Sequence, residues 1–337
     1  MLKLCSLYPE APTNRVYMEH VESYRRRIKE LNEQDIRSNV SRSSTSAPEQ
    51  VEHFSSIEKP NIRWNDIANL RDAKKAIEES VVYPVRRPDL FPLGWPRGIL
   101  FFGPPGCGKT LLAAAIATEI NAEFFCVDAA TVMSKWLGES EKNVSNLFQT
   151  ARRASVSGRP AIIFIDEIDS LVGIRTEEVG GEIRTRNQFL KEMDSILDKS
   201  NPTHVYVVGA TNKPWALDEP FIRRFQKRIF VPLPNSEARN ELITIYSRNL
   251  NINPDVSSDE LIHMTEGFSG SDIRDILQSA QIKVVRELFE SEKMTERSRP
   301  RAICMQDIHE TLKKRRPSVS SEMLRYYDKW YETYKAL

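Results

Sequence analysis

The stretch that most constrains this chain is Gly103-Pro-Pro-Gly-Cys-Gly-Lys-Thr110, set between the apolar run Ile99-Leu-Phe-Phe102 and the helix-forming Leu111-Leu-Ala-Ala-Ala-Ile-Ala117. The order predicts a strand, a glycine loop and a helix. Glycines let backbone N–H groups turn inward around an anion, and the start of the following helix adds its positive dipole end. The loop residues Pro105, Gly106, Cys107 and Gly108, with Leu111 at the helix start, form the backbone cradle of a nucleotide phosphate site. Lys109 is placed to reach the β- and γ-phosphates, and the Thr110 hydroxyl to ligate Mg²⁺. A glycine turn without a ligand has no use for lysine and threonine at this fixed spacing.

From Arg97 to Pro234 five β-rich runs alternate with helical patterns: Gly98 to Gly103, Ala122 to Asp128, Ala161 to Asp166, His204 to Gly209 and Lys227 to Leu233. Such alternation predicts a parallel sheet with helices on both faces. In Ala161-Ile-Ile-Phe-Ile-Asp-Glu167 an apolar strand ends in two acids at the carboxyl edge, where open α/β sheets place ligands. Asp166 is the candidate for the Mg²⁺ shell and Glu167 for polarising an attacking water. After Pro234 the sheet pattern stops. Helical patterns follow at about 237–249, 258–266, 270–291 and 305–315, forming a second, smaller domain. A last helix carries Met323, Leu324, Tyr327, Trp330, Tyr331 and Tyr334 on one stripe, and a stripe this aromatic belongs against the body of the protein.

The N-terminal part is different in kind. Residues 1 to 12 read as a helix tail closed by prolines. Thr13 then caps a second helix, in which Tyr17, Val21, Tyr24, Ile28 and Leu31 make an apolar stripe opposite Arg25-Arg26-Arg27. Between Ile36 and Pro60 serines dominate and few large apolar residues occur, the composition of a flexible linker. A helix is expected from Asp72 to Val81, before the proline-punctuated Tyr83 to Pro92.

Forty-eight basic against 47 acidic residues leave a formal charge of +1, so no global field points to nucleic acid or an acidic membrane. The cluster Lys313-Lys-Arg-Arg316 reads as a solvated helix end. Four cysteines (Cys5, Cys107, Cys126, Cys304) form no C-x-x-C pair and fit reduced thiols. No apolar run approaches the roughly 20 residues that span a bilayer, and the charged N-terminal segment lacks a signal-peptide core. The chain therefore reads as cytoplasmic.

With these residues in view, residues 60 to 337 resemble one AAA module of the group containing katanin, spastin, fidgetin and the ESCRT-III-disassembling ATPases. The resemblance rests on Gly103 to Thr110, Asp166-Glu167, Ala210-Thr-Asn212, Arg223-Arg224 and Gly267-Phe-Ser-Gly-Ser-Asp-Ile273. Met133-Ser-Lys-Trp-Leu-Gly-Glu139, the final aromatic helix and Arg87-Pro-Asp-Leu-Phe-Pro-Leu-Gly-Trp-Pro96 are most like the ESCRT-III-remodelling ATPase in its archaeal cell-division form.

The resemblance implies an organisation: N-terminal helices over 1–36, similar to the end of a microtubule-interacting and trafficking domain, and a linker over 37–60. A large AAA domain over 61–235, a small helical lid over 236–318 and a docking C-terminal helix over 319–337 follow. By position, Asp66, Ile67 and Ala68 bracket adenine, Gly270 and Ser271 close the far side of the nucleotide, and Asn212 is the sensor asparagine. Arg223 and Arg224 match arginine fingers acting on a neighbour's ATP, which requires a ring, expected to be a homo-hexamer. Lys135, Trp136 and Leu137 match a first pore loop, and Gly181 and Glu182 a second. The implied activity is ATP hydrolysis that pulls client peptide through the pore and so remodels ESCRT-III-like filaments, touching membranes only through those clients and nucleic acid not at all. Tubulin severing and a nucleotide-gated assembly scaffold are the alternatives. Cys107 stands where the family usually has threonine, and an accessible thiol there is open to oxidation. The segment between Phe289 and Asp307 is too short for the β-rich insertion with which eukaryotic relatives bind an activating cofactor.

Overall fold

The structure is a computed structural model that describes residues 62–129, 140–172, 180–198, 203–290 and 299–334. All of these lie in the second of two units, Phe54–Leu337. The expected N-terminal helices and linker lie outside the described residues, as do Lys135, Trp136 and Leu137.

The large domain is built on five parallel strands, β1 (Gly98–Phe102), β2 (Glu123–Asp128), β3 (Ala161–Asp166), β4 (Val205–Thr211) and β5 (Lys227–Phe230), in the order β2-β3-β4-β1-β5. Strand alternation divides the core between the two faces. Ile99 and Phe101 join Ile162, Phe164, Tyr206 and Val208 on one side. Leu100 and Phe102 join Ile163, Ile165, Val205 and Val207 on the other. Both sets are buried because helices cover both faces, which is why these strands are nearly continuous apolar runs.

The helices in chain order are α1 (Arg71–Ile77), α2 (Tyr83–Arg86), α3 (Lys109–Glu119), α4 (Ser140–Val156), α5 (Asp169–Val172), α6 (Gly180–Leu197) and α7 (Glu219–Arg224). The small domain adds α8 (Ser236–Ser247), α9 (Ser258–Met264), α10 (Gly270–Glu290) and α11 (Met305–Lys313), and α12 (Ser321–Tyr334) ends the described chain. In α3 the run Ala113 to Ala117 is buried against the sheet, small side chains allowing close approach. The lid has its own core of Ile243, Leu261, Phe268, Ile273, Ile276, Leu277 and Ile308.

Three details depart from the sequence reading. The first helix does not stop at Val81 but passes through a π-helical turn, Glu78–Val82, into α2, with the Tyr83 N–H donating to Glu78 O. Pro84 falls at the start of the new segment, where a missing N–H costs little. β4 runs two residues beyond Gly209, to Thr211. β5 stops at Phe230: Val231 N–H still donates to Phe102 O at 2.8 Å, and Pro232 then has no donor to continue the ladder. Ile252 and Ile303 also form an isolated parallel bridge within the lid. Among the described residues no helix is long and apolar enough to cross a membrane.

Candidate active site

The loop from Gly103 to Gly108 leaves β1 at the carboxyl edge of the sheet and delivers α3. Gly106 (φ 72°) and Gly108 (φ 90°) adopt left-handed backbone that other residues rarely take. A Cβ at Gly106 would stand 1.9 Å from Ser271 Oγ, and the Ser271 N–H donates to Gly106 O at 3.1 Å. Loop and lid therefore meet backbone to backbone. Ser269 and Asp272 fix the lid's side of this contact: Asp272 Oδ2 accepts from Ser269 N at 2.9 Å, and Ser269 Oγ from Asp272 N at 3.2 Å.

Between loop and lid lies a cavity of about 430 Å³. Asp66, Ile67, Ala68, Gly106, Cys107, Gly108, Lys109, Thr110, Leu111, Asp166, Glu167, Asn212, Gly270 and Ser271 all line it, so residues drawn from across the sequence converge on one space. Pro105 lies in the loop but does not line the cavity. The Asp66–Ala68 strip is held by Lys74, whose Nζ donates to Trp64 O and Ile67 O at 3.0 and 2.8 Å.

Lys109 is buried, and its Nζ donates to Gly103 O and Pro104 O at 2.9 and 2.8 Å. Burial pushes its amine down to about 8, while Cys107, Asp166 and Asp169 pull the other way. Thr110 Oγ1 donates to Asp166 Oδ2 at 2.8 Å. That separation fits two adjacent oxygens of an octahedral Mg²⁺ shell, which at metal–oxygen distances of 2.0–2.1 Å stand about 2.9 Å apart. Glu167 is exposed to the cavity with φ 49°, a left-handed conformation that costs a non-glycine residue about 1–2 kcal/mol. Its N–H donates to Asp166 Oδ1 at 3.0 Å, and the next residue, Ile168, donates to Ala210 O at 3.0 Å, which bolts the turn to β4. Asn212 follows β4, and its buried side-chain oxygen has no hydrogen-bond partner among the described residues. A buried polar atom left open in this way suits a ligand group.

The Cys107 thiol is half-buried rather than open, and burial raises its pKa to about 11 despite nearby Lys109. The neutral thiol is the unreactive form, so this position is less open to oxidation than its sequence context implied.

Neither arginine of α7 lines the cavity of its own chain. Asp218 caps the helix, accepting from Phe221 N at 3.2 Å, and Phe221 and Ile222 are buried anchors. Arg224 forks onto Asp194 of α6 at 3.0 and 2.9 Å and donates to Pro220 O at 2.8 Å. Among the described residues Arg223 pairs with Glu219 at 2.5 Å, with 73% of its side chain exposed. Gly181 and Glu182 fall in the first turn of α6.

Cavity residues that the sequence reading passed over come mainly from α8 and the segment before it: Pro232, Pro234, Leu242, Ile245 and Tyr246, with Arg274 from α10. Leu242 and Tyr246 also pack on the lid core, and nothing in their period-four spacing sets them apart from core residues of the helix.

Residues 99–233 match the model for the "ATPase family associated with various cellular activities (AAA)", and residues 255–310 that for the "AAA+ lid domain". Over 281 residues the chain is 58% identical to Cell division protein C of Sulfolobus acidocaldarius, covering 83% of this chain and 74% of that protein. Over 238 residues it is 47% identical to human Vacuolar protein sorting-associated protein 4A, covering 69% of this chain and 53% of that one. The chain thus spans about half the length of the human relative. The crystal structure of the FIGL-1 AAA domain in complex with ADP superposes with a TM-score of 0.77 at 33% identity, covering 87% of this chain and all of that one. The parallel five-stranded sheet, the cavity between sheet and lid, and these similarities together place the chain in the AAA family of ATPases.

Proposed function

We propose that this ATPase works as a ring, with each nucleotide site completed by a neighbouring copy, and uses the cycle to remodel ESCRT-III-like filaments. The observation that carries the ring is the placement of arginine. The cavity gathers Lys109, Thr110, Asp166, Glu167 and Asn212, while Arg223 stands outside it, exposed and tied to a single exposed glutamate. Such a pair is worth only about 0.3–0.5 kcal/mol, so a neighbour's phosphate exchanges for it readily.

In the proposed cycle Lys109 and the loop N–H groups bind the phosphates, and Thr110 and Asp166 hold Mg²⁺. Mg²⁺ held there would supply positive charge against the phosphate oxygens. Glu167 takes the proton of the attacking water, Asn212 orients that water or the γ-phosphate through its amide, and Arg223 of the adjacent copy stabilises the charge that develops at the transition state. Arg224, held on α7 by its fork onto Asp194 of α6, supports the same interface.

The filament reading is supported by the 58% identity to an archaeal cell-division protein. Lys135, Trp136 and Leu137, with Gly181 and Glu182, are the residues proposed to grip client peptide in the pore of a cytoplasmic hexamer. The test is ATPase turnover with added ESCRT-III-like filaments, tubulin or DNA, followed by electron microscopy of the filaments. Stimulation and ATP-dependent shortening of the ESCRT-III-like filaments alone is the expected result. Stimulation by tubulin instead would move the chain to the severing reading, and no response to any polymer would leave a nucleotide-gated scaffold.

A further inference from the structure

Tyr327 sits on α12, outside the nucleotide cavity, with its ring fully buried. Its hydroxyl donates to the backbone carbonyl of Asn212 at 2.5 Å, across 115 residues of sequence. A buried phenol needs a partner for its O–H. The partner here is the peptide of Asn212, a residue that lines the cavity beside Glu167 and Asp166 in the proposed catalytic set.

The surroundings make this contact more than a satisfied hydroxyl. The residues flanking Asn212 are clamped from within the large domain: Thr211 Oγ1 donates to Asp169 Oδ1 at 2.7 Å and accepts from Lys213 N at 2.9 Å. Asn212's own carbonyl is instead held by the C-terminal helix. The Tyr327 ring is itself wedged between Trp215, 5.2 Å away on the turn after Asn212, and Phe230 at the end of β5, 6.1 Å away. One helical turn on, Trp330 packs against Phe102, the residue before the phosphate loop, at 4.6 Å. Arg228 Nε donates to Tyr334 O at 2.6 Å and fixes the helix end. The helix thus bears on the carboxyl edge of the sheet at two places that lead directly into the cavity. Asn212's unpartnered amide oxygen takes its direction from a peptide plane that Tyr327 holds.

We propose that Tyr327 is a positioning residue for ATP hydrolysis: its hydroxyl fixes the Asn212 peptide, so that the Asn212 amide meets the γ-phosphate and water in a productive geometry only when α12 is docked. This rests on the reading of Asn212 as the group that orients the reacting atoms. The C-terminal helix then acts as part of the hydrolytic machinery, and its undocking slows chemistry without emptying the site.

The test is a double-mutant cycle on the full chain, with wild type, Tyr327→Phe, Asn212→Ala and the double variant compared by steady-state ATPase and by melting. Phenylalanine keeps the ring and removes only the hydroxyl. Tyr327→Phe is expected to lower kcat roughly ten- to a hundredfold, the scale of a small misplacement of a reacting group, with KM for ATP changed by less than about twofold. In the Asn212→Ala background the same change should leave kcat where it was, while lowering the melting temperature as much as in wild type. Trp215→Phe, which loosens the same aromatic cluster without touching the hydroxyl, should hold kcat within about twofold. Tyr327→Phe with unchanged kcat, or with an equal loss of kcat in both backgrounds, overturns the inference and leaves the role of Asn212 standing. Full turnover in Asn212→Ala alone overturns that role and the inference together.

Discussion

Thr110 Oγ1 and Asp166 Oδ2 meet at 2.8 Å, which joins the end of the phosphate loop to the end of β3 across 56 residues. Hydroxyl and carboxylate are the two hard oxygen donors that the cavity offers side by side, at the spacing of adjacent ligands in a Mg²⁺ shell. Thr110→Ala should therefore raise the Mg²⁺ concentration for half-maximal ATPase by about tenfold or more, while Thr110→Ser stays near wild type. A Mg²⁺ titration of turnover checks this, and equal Mg²⁺ dependence in the alanine variant would remove Thr110 from the shell.

Glu167 extends into the cavity from a left-handed turn locked to β4. Glu167→Gln preserves size and most hydrogen bonding but removes the proposed base, so turnover should fall by roughly 10²–10⁴-fold. ATP should still bind and persist, and size-exclusion chromatography with light scattering should show an assembled species in ATP that wild type holds only transiently. Near-normal turnover in this variant assigns the base elsewhere.

The lid carries a buried carboxylate that does not line the cavity. Arg301 forks onto Asp307 at 2.6 and 2.8 Å, Lys283 reaches it at 2.9 Å and the Cys304 N–H donates at 3.0 Å, around a side chain that is almost wholly buried. The Arg301 guanidinium holds the Asp307 carboxyl well below the usual carboxylate range, with Lys283 and Cys304 adding to it against the cost of burial. A depressed folded-state pKa contributes stability that is fully present above the unfolded value of about 3.9 and is lost progressively as pH falls from there through the lower folded-state value. Asp307→Asn should lower the melting temperature at neutral pH and flatten its decline from about pH 4 downward, as calorimetry across pH would record. Parallel curves for variant and wild type would show that Asp307 contributes no such linkage.

The sheet, and the meeting of the loop and the acidic strand end at one cavity, were legible because each segment is written locally. Ile99 to Thr110 carries strand, loop, helix and ligand groups in one stretch, and Ala161 to Glu167 repeats the pattern of apolar strand and acidic end. The π-helical turn at Glu78–Val82 was not legible, since Pro84 signals a stop and says nothing of a register change that absorbs it. Tyr327 read as one aromatic of a stripe; that its hydroxyl ends on the Asn212 carbonyl depends on tertiary placement that no periodicity encodes. Arg223 and Arg224 are likewise indistinguishable as neighbours in sequence. They diverge because α7 turns one toward Asp194 and the other toward solvent.

That divergence makes a mixing assay the most direct measurement of the central claim, a hydrolytic site shared between two copies. Arg223→Ala and Glu167→Gln proteins are each expected to be nearly inactive alone. Mixed in ATP, a subunit with intact Glu167 gains the arginine of a Glu167→Gln neighbour, so turnover per subunit should rise well above either parent and peak at intermediate ratios. Arg224→Ala in the same assay should lose interface support together with its Asp194 anchor, and show a lower melting temperature that Arg223→Ala does not share. Recovered turnover in the mixture is the result predicted by a site completed in trans. Turnover that stays at the average of the two parents at every ratio would contradict it.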